Sequence, residues 1–219
     1  MILILQHGEH ETAGCITDCL ERRNLPFGII RLFEGDKLPE KTPSHLIILG
    51  GQMSVNDEAR YLFFKPEKKF VRTAVRQGKT VLGICLGAQL IASAFSMPVY
   101  RSQAERGWKR IRGCAPGLLC WHPEEFPVFT WHQETFHLPG RATLVAYGDE
   151  IRNQAFLLNR AVGVQFHPEV TMPIIRHWAK DLPGPERIRV IQESERLIGQ
   201  YRLCCDRMMD AFLVGWRAK

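Results

Sequence analysis

The sequence has no C-x-x-C pair, no Lys/Arg-rich run, no internal repeat and no Ser/Gly-rich linker, and each absence removes a class of protein. Seven cysteines, an odd number without paired spacing, read as thiols in a reducing interior and not as a disulfide framework. The opening MILILQHGEH lacks a basic n-region and a cleavage site, so the expected compartment is the cytoplasm. The net charge is +6, but bases and acids are interleaved, the pattern of a solvated surface, which speaks against a nucleic-acid partner. One long uncharged stretch, Thr80 to Tyr100, carries Gly83, Gly87, Gln89, Ser93, Ser96 and Pro98. It reads as strand, tight turn and short helix, and no membrane span is expected. An ATP site is missing too. Gly78-Lys79-Thr80 resembles the end of a P-loop, yet Thr73 occupies the position that needs glycine, and the strand follows the lysine instead of preceding the loop.

What is present is an ordinary globular composition, 45% apolar and 24% charged over 219 residues, which predicts one domain spanning 1–219 with a sizeable core. Apolar runs at Met1–Leu5, Phe27–Leu32, His45–Leu49 and Thr80–Ile84 alternate with helical spacing at Ala13, Ile16 and Leu20 and across Lys65–Gln77. Strands alternating with helices imply a parallel sheet covered on both faces. Beyond Pro98 the texture changes. Short segments at Trp108–Arg112, Pro127–Trp131, Thr143–Tyr147, Ala155–Leu158 and Ala161–Phe166 follow through Gly, Pro and Asn turns, and predict antiparallel strands extending the same sheet. Met172–Lys180 and Pro185 to about Trp216 read as helices, the second with Ile188, Ile191, Leu197, Ile198, Tyr201 and Leu203 as buried positions and Cys204-Cys205 as packing residues. The fold class is α/β, doubly wound and flavodoxin-like, with a mixed sheet.

Two segments carry chemistry. Gly83-Ile84-Cys85-Leu86-Gly87 places a cysteine between an apolar strand and a helix, with a glycine two residues away on either side. This is a nucleophile elbow with sulfur in place of a hydroxyl: the flanking residues must be small for strand and helix to approach, and the helix N-terminus behind the sulfur favours thiolate. By itself the pattern also fits a structural cysteine between two packing glycines. Gly163-Val164-Gln165-Phe166-His167-Pro168-Glu169 ends another apolar strand, and residues two apart in extended chain project to one side, so Glu169 can orient His167. Alone, this histidine fits a strand-end residue bonded to water. Together the two segments point to a cysteine, its base and an orienting acid.

His7-Gly-Glu-His10 follows the first strand, at the edge where open α/β sheets place ligands. Two histidines and an acid on a loop suit surface residues better than a metal site, and no metal is expected there or at His132 and His137.

Gly50-Gly51-Gln52-Met53-Ser54-Val55-Asn56-Asp57, the Gly83–Gln89 elbow, Gly163–Glu169 and Trp131-His132-Gln133-Glu134-Thr135-Phe136-His137-Leu138-Pro139 resemble, in order, the blocks of class I (triad) glutamine amidotransferases. The likeness is to the glutaminase domain of GMP synthase and its stand-alone relatives. The resemblance implies Cys85 as nucleophile, His167 as base and later acid, and Glu169 as its orienter. It implies an oxyanion hole from the backbone N–H groups of Gly51 and Leu86, with Gln89, Gln133 and Glu134 at the substrate. Two departures from the family pattern are visible: Gln52 stands where proline is usual, and Gln133-Glu134 where Gly-Asp is common. The implied activity is hydrolysis of the glutamine side-chain amide through a γ-glutamyl thioester, without a cofactor; the chain then either passes ammonia to a separate synthetase partner or is a free-standing hydrolase. A γ-glutamyl peptidase acting on larger γ-glutamyl amides, and a regulatory protein with a vestigial site, are the alternatives.

Overall fold

The residues of the first strand, β1 (Ile2–Gln6), are all buried, as a run between two covering layers requires. Their side chains alternate between two cores. Ile2 and Ile4 join one that contains Ile47, Leu82 and Ile84, whereas Leu3 and Leu5 join another with Leu46, Ile48 and Val81. The computed structural model describes residues 1–114 and 125–216. Its remaining strands are β2 (Phe27–Arg31), β3 (His45–Ile48), β4 (Thr80–Ile84), β5 (Val99–Gly113), β6 (Glu125–Phe136), β7 (Thr143–Gly148), β8 (Ala155–Leu158) and β9 (Ala161–Val164). They form a single mixed sheet in the order β2-β1-β3-β4-β9-β8-β7-β5-β6. The first five are mutually parallel and the last four extend the sheet antiparallel. This is the flavodoxin-like mixed architecture that the sequence predicts.

Helices α2 (Phe64–Arg76) and α3 (Leu86–Ala94) cover one face, and α1 (Cys15–Arg22), α4 (Met172–Trp178) and α5 (Gly184–Val214) the other. Among the described residues no helix is long and apolar enough to cross a membrane.

Two sequence expectations are corrected. The short strands at Trp108–Arg112 and Pro127–Trp131 are only the C-terminal part of β5 and the N-terminal half of β6, a 15-residue and a 12-residue strand paired along most of their length. Gly107 resembles a turn signal but sits within β5 at φ 86, and its carbonyl accepts the Thr130 hydroxyl at 3.0 Å. On α5, Ile188 and Leu203 are exposed, not buried. The buried stripe runs through Val190, Ser194, Tyr201, Cys205, Met208 and Phe212 at spacings of three, four and seven, with Leu197 and Ile198 half-buried between. Ile188 and Leu203 each lie two residues from that stripe, about 200° around the helix. A serine and a cysteine set the phase, which a search for aliphatic residues does not see. Ser194 is held by its own bonds, accepting from Trp108 Nε1 at 2.9 Å and donating to the Val190 carbonyl at 2.7 Å. Cys205 is buried as expected, and Cys204 is packed against the same core.

Candidate active site

The register of β4 and β9 sets the site. Ile84 lies opposite Val164 on these adjacent parallel strands, so the residues that follow each strand leave the sheet side by side at its C-terminal edge. Cys85 comes next on one, and Gln165 and His167 on the other. The Cys85 N–H donates to the Val164 carbonyl at 2.8 Å, and the His167 N–H to the Phe129 carbonyl at 2.8 Å, which pins both backbones.

Cys85 itself adopts φ 50 and ψ −104 and caps α3. That conformation is rare for a residue with a side chain and is held here by close packing on both sides. A Cβ at Gly83 would lie 2.6 Å from the Gly87 carbonyl oxygen, and one at Gly87 would lie 2.2 Å from that of Ile48. The two glycines are thus required by contact, as the elbow pattern predicts. The sulfur stands at the N-terminus of α3, the positive end of the helix dipole.

His167 Nδ1 is bonded to Glu169 Oε1 at 2.7 Å, both side chains being buried. Burial disfavours charge on the imidazole, but the Glu169 carboxylate and the neighbouring Cys85 sulfur outweigh it and push His167 up to about 10. The ring lies edge-on to Trp178 at 4.8 Å between centroids. Gly50 packs against both residues: a Cβ there would meet His167 Cε1 at 3.0 Å and Cys85 Cβ at 3.8 Å. Cys85, His167 and Glu169 are thus gathered at one edge of the sheet, with the Nε2 atom of His167 buried and without a hydrogen-bond partner among the described residues.

These residues open into a cavity of about 970 Å³ whose wall includes Gly51, Gln89, Gln133 and Glu134. Gly51 and Leu86, the expected oxyanion pair, are neighbours, a Cβ on Gly51 falling 2.6 Å from Leu86 Cδ2. Gln89 Nε2 donates to the Glu134 carbonyl at 3.0 Å, tying α3 to the C-terminal end of β6. Where the family usually has proline, Gln52 Nε2 donates to Glu11 Oε1 at 2.9 Å, so a side-chain bond tethers the glycine loop.

The histidines outside the triad fall differently from their sequence reading. His7 is not on the surface: its Nε2 meets Glu67 Oε1 at 2.9 Å, with neither side chain exposed. Burial opposes its charge, yet Glu67 and the carbonyls of Gly50 and Leu49 raise its pKa above the ordinary value. His10 stands at the cavity wall with its ring 3.9 Å from that of His177, centroid to centroid. His132 is buried against Glu105 at 3.0 Å, while the His137 ring lies tilted against that of Tyr100, 4.9 Å between centroids. Among the described residues no group of three or more His, Cys, Asp or Glu could hold a metal ion. Sequence reasoning missed Gln165, whose Nε2 lies 3.7 Å from Cys85 Sγ, and Trp131, whose carbonyl accepts from the same sulfur at 3.9 Å. No local signal marks Gln165; only its place beside a sulfur 80 residues away does.

The sequence model of the family described as "Glutamine amidotransferase class-I" matches residues 13–176. The chain belongs to that family. Among particular relatives, it is 28% identical to the glutamine amidotransferase-like protein YfeJ of Salmonella typhimurium, over 85% of this chain and 84% of that one. It is 32% identical to the glutamine-hydrolysing GMP synthase of a Parafrankia species, over 75% of this chain but only 33% of the larger relative. The crystal structure of a glutamine amidotransferase from Thermotoga maritima superposes with a TM-score of 0.89 at 28% identity, covering 97% of each chain. One from Methylobacillus flagellatus gives 0.90 at 27% identity, over 100% of this chain and 96% of that one.

Proposed function

We propose that this chain, acting as one domain over residues 1–219 in a reducing compartment such as the cytoplasm, is a cysteine-dependent glutaminase of the amidotransferase type. The observation that carries the reading is the convergence of Cys85 with the 2.7 Å His167–Glu169 pair from adjacent strand ends. The Cys85 thiolate attacks the side-chain carbonyl carbon of glutamine, and the oxyanion is held by the N–H groups of Gly51 and Leu86. Imidazolium His167 gives its proton to the departing nitrogen, so ammonia leaves and a γ-glutamyl thioester remains. Water then loses a proton to His167 and attacks the thioester, and glutamate and the free thiol are released. Glu169 fixes the tautomer of His167 and stabilises its charged form throughout. Gln89, Gln133 and Glu134 form the wall at the amino-acid end of the substrate.

Ammonia set free in water is lost to solvent unless an acceptor is near, so we place a separate synthetase at the cavity mouth as its consumer. In support, a relative 27% identical to this chain, from Microcystis aeruginosa, is a subunit of imidazole glycerol phosphate synthase.

One observation favours a second reading. A cavity of about 970 Å³ stands at the upper end of the range for drug-sized ligands, well beyond the needs of one amino acid. γ-Glutamyl amides larger than glutamine would use that space with the same triad. The test is glutamate release from glutamine, γ-glutamyl dipeptides and glutathione conjugates, compared as kcat/KM. Turnover of glutamine alone would remove the peptidase reading, and turnover of the longer amides alone would make the glutaminase assignment one of ancestry. No turnover with any of them would favour a regulatory protein with a vestigial site.

A further inference from the structure

A thiolate at Cys85 needs donors, and besides His167 two described groups lie within hydrogen-bond reach of its sulfur, opposite in kind. The Trp131 carbonyl at 3.9 Å is an acceptor, which suits the neutral thiol and repels the anion. The Gln165 side-chain amide at 3.7 Å presents an N–H, which suits the anion. Gln165 is wholly buried, and its backbone N–H is tied to the Gln154 carbonyl at 2.8 Å, so the residue has little room to turn away. Among the described residues its amide oxygen is buried without a hydrogen-bond partner, and its amide nitrogen is bonded to the sulfur. A buried amide left half-unsatisfied costs stability, and the group served by this arrangement is Cys85. The bend that follows β9 at residues 165 and 166 brings this amide to the sulfur, and His167 comes next along the chain.

We propose that Gln165 is a further catalytic residue, whose side-chain amide donates a hydrogen bond to the Cys85 thiolate and shares with His167 the stabilisation of its negative charge. The inference rests on Cys85 being the nucleophile. The donor acts twice: it raises the fraction of reactive anion before attack, and it steadies the sulfur as it departs from the thioester when water completes the reaction. Between those steps the acylated sulfur carries no charge and the bond weakens, so the stabilisation is spent where charge sits on sulfur.

The test is the pH dependence of Cys85 alkylation by iodoacetamide, read by mass, in the wild-type protein, Gln165→Leu and Gln165→Glu. Loss of the donor in Gln165→Leu should move the midpoint up by about one pH unit, a tenfold loss of thiolate at neutral pH. Gln165→Glu keeps the shape and substitutes an acceptor, so its midpoint should move further. Glutamate release at neutral pH should fall about tenfold in Gln165→Leu, in step with the thiolate fraction. A packing role predicts instead that Gln165→Glu alkylates like the wild type, and superposition of either variant on the wild-type profile would overturn the proposal; either variant suffices if the other does not fold. Should the glutaminase reading fail, the wild-type protein releases no glutamate while the three midpoints keep their order. Should this proposal fail alone, release persists and the midpoints coincide.

Discussion

The backbone carbonyl of Glu169 accepts the N–H of Cys15 at 2.9 Å, so the acid that orients His167 is anchored on the first turn of α1. The Cys15 thiol adds a second bond, to the Pro168 carbonyl at 3.3 Å. Gly14 makes the approach possible: it holds φ 47 and ψ −126, and a Cβ there would lie 2.1 Å from the Glu169 carbonyl oxygen.

Gly14→Ala should therefore lower both stability and turnover. The backbone strain alone is of order 1–3 kcal/mol. Relieving the contact must shift Glu169, so glutamate release should fall further than denaturation midpoints suggest, while Cys85 remains alkylable. Wild-type kinetics in this variant would show that the anchor has no hold on the triad.

Cys85→Ala should abolish turnover and leave the melting curve nearly unchanged, because the elbow is shaped by glycine contacts at Gly83 and Gly87. A glutamine-like electrophile should add one mass, at Cys85. Burial pushes the Cys19 thiol up to about 11 and raises those of Cys114 and Cys204 as well, and Cys205 is raised by its bond with Cys15 together with burial. These sulfurs stay protonated at neutral pH and should stay unlabelled.

With His167 pushed up to about 10, its proton is retained through neutral pH and lost as pH rises through that value. Activity that needs imidazolium for the departing nitrogen should fall on that alkaline limb. Glu169→Gln removes the carboxylate that favours the charged ring, so the limb should move to lower pH. His167→Ala should cost on the order of 10²–10⁴ in rate or more, at least as much as Glu169→Ala. A pH profile indifferent to Glu169→Gln would contradict the assigned coupling.

The His7–Glu67 pair, sealed beneath the glycine loop, should be costly to break and cheap to replace. Glu67→Leu alone leaves a buried imidazole without its partner, and breaking buried pairs typically costs about 3–5 kcal/mol. The double variant His7→Phe, Glu67→Leu should lose much less in urea denaturation. Because the pKa of His7 is raised, its contribution is complete below the unfolded value of about 6.5 and is lost as pH rises through the folded value above it. The gap between the Glu67→Leu variant and the wild type should accordingly narrow on the alkaline side.

What was legible in the sequence is what period and sterics write into it. The apolar runs at Ile2, His45 and Thr80, and the paired glycines around Cys85, announce strands and an elbow because buried parallel strands and tight turns tolerate few alternatives. Gln165 was hidden because one amide in an apolar strand end has no pattern of its own; its meaning comes from a sulfur 80 residues away. His7 looked like a loop residue because Glu67, its partner, lies 60 positions on and one helix over. On α5 the stripe's phase rests on Ser194 and Cys205, so reading aliphatics alone put Ile188 and Leu203 on the wrong side.

The neighbouring strands β4 and β9 are joined by a long detour: β5, β6, β7 and β8 are all made between them, though they sit to one side in the sheet. A contact so distant in sequence is slow to close, and it depends on everything enclosed in the loop. As the polypeptide is synthesised, its thiol is therefore finished long before its imidazole exists. Until β9 docks, Cys85 stands at a helix end without His167 beside it, so under the proposed mechanism hydrolysis waits on the last strand of the sheet to be made.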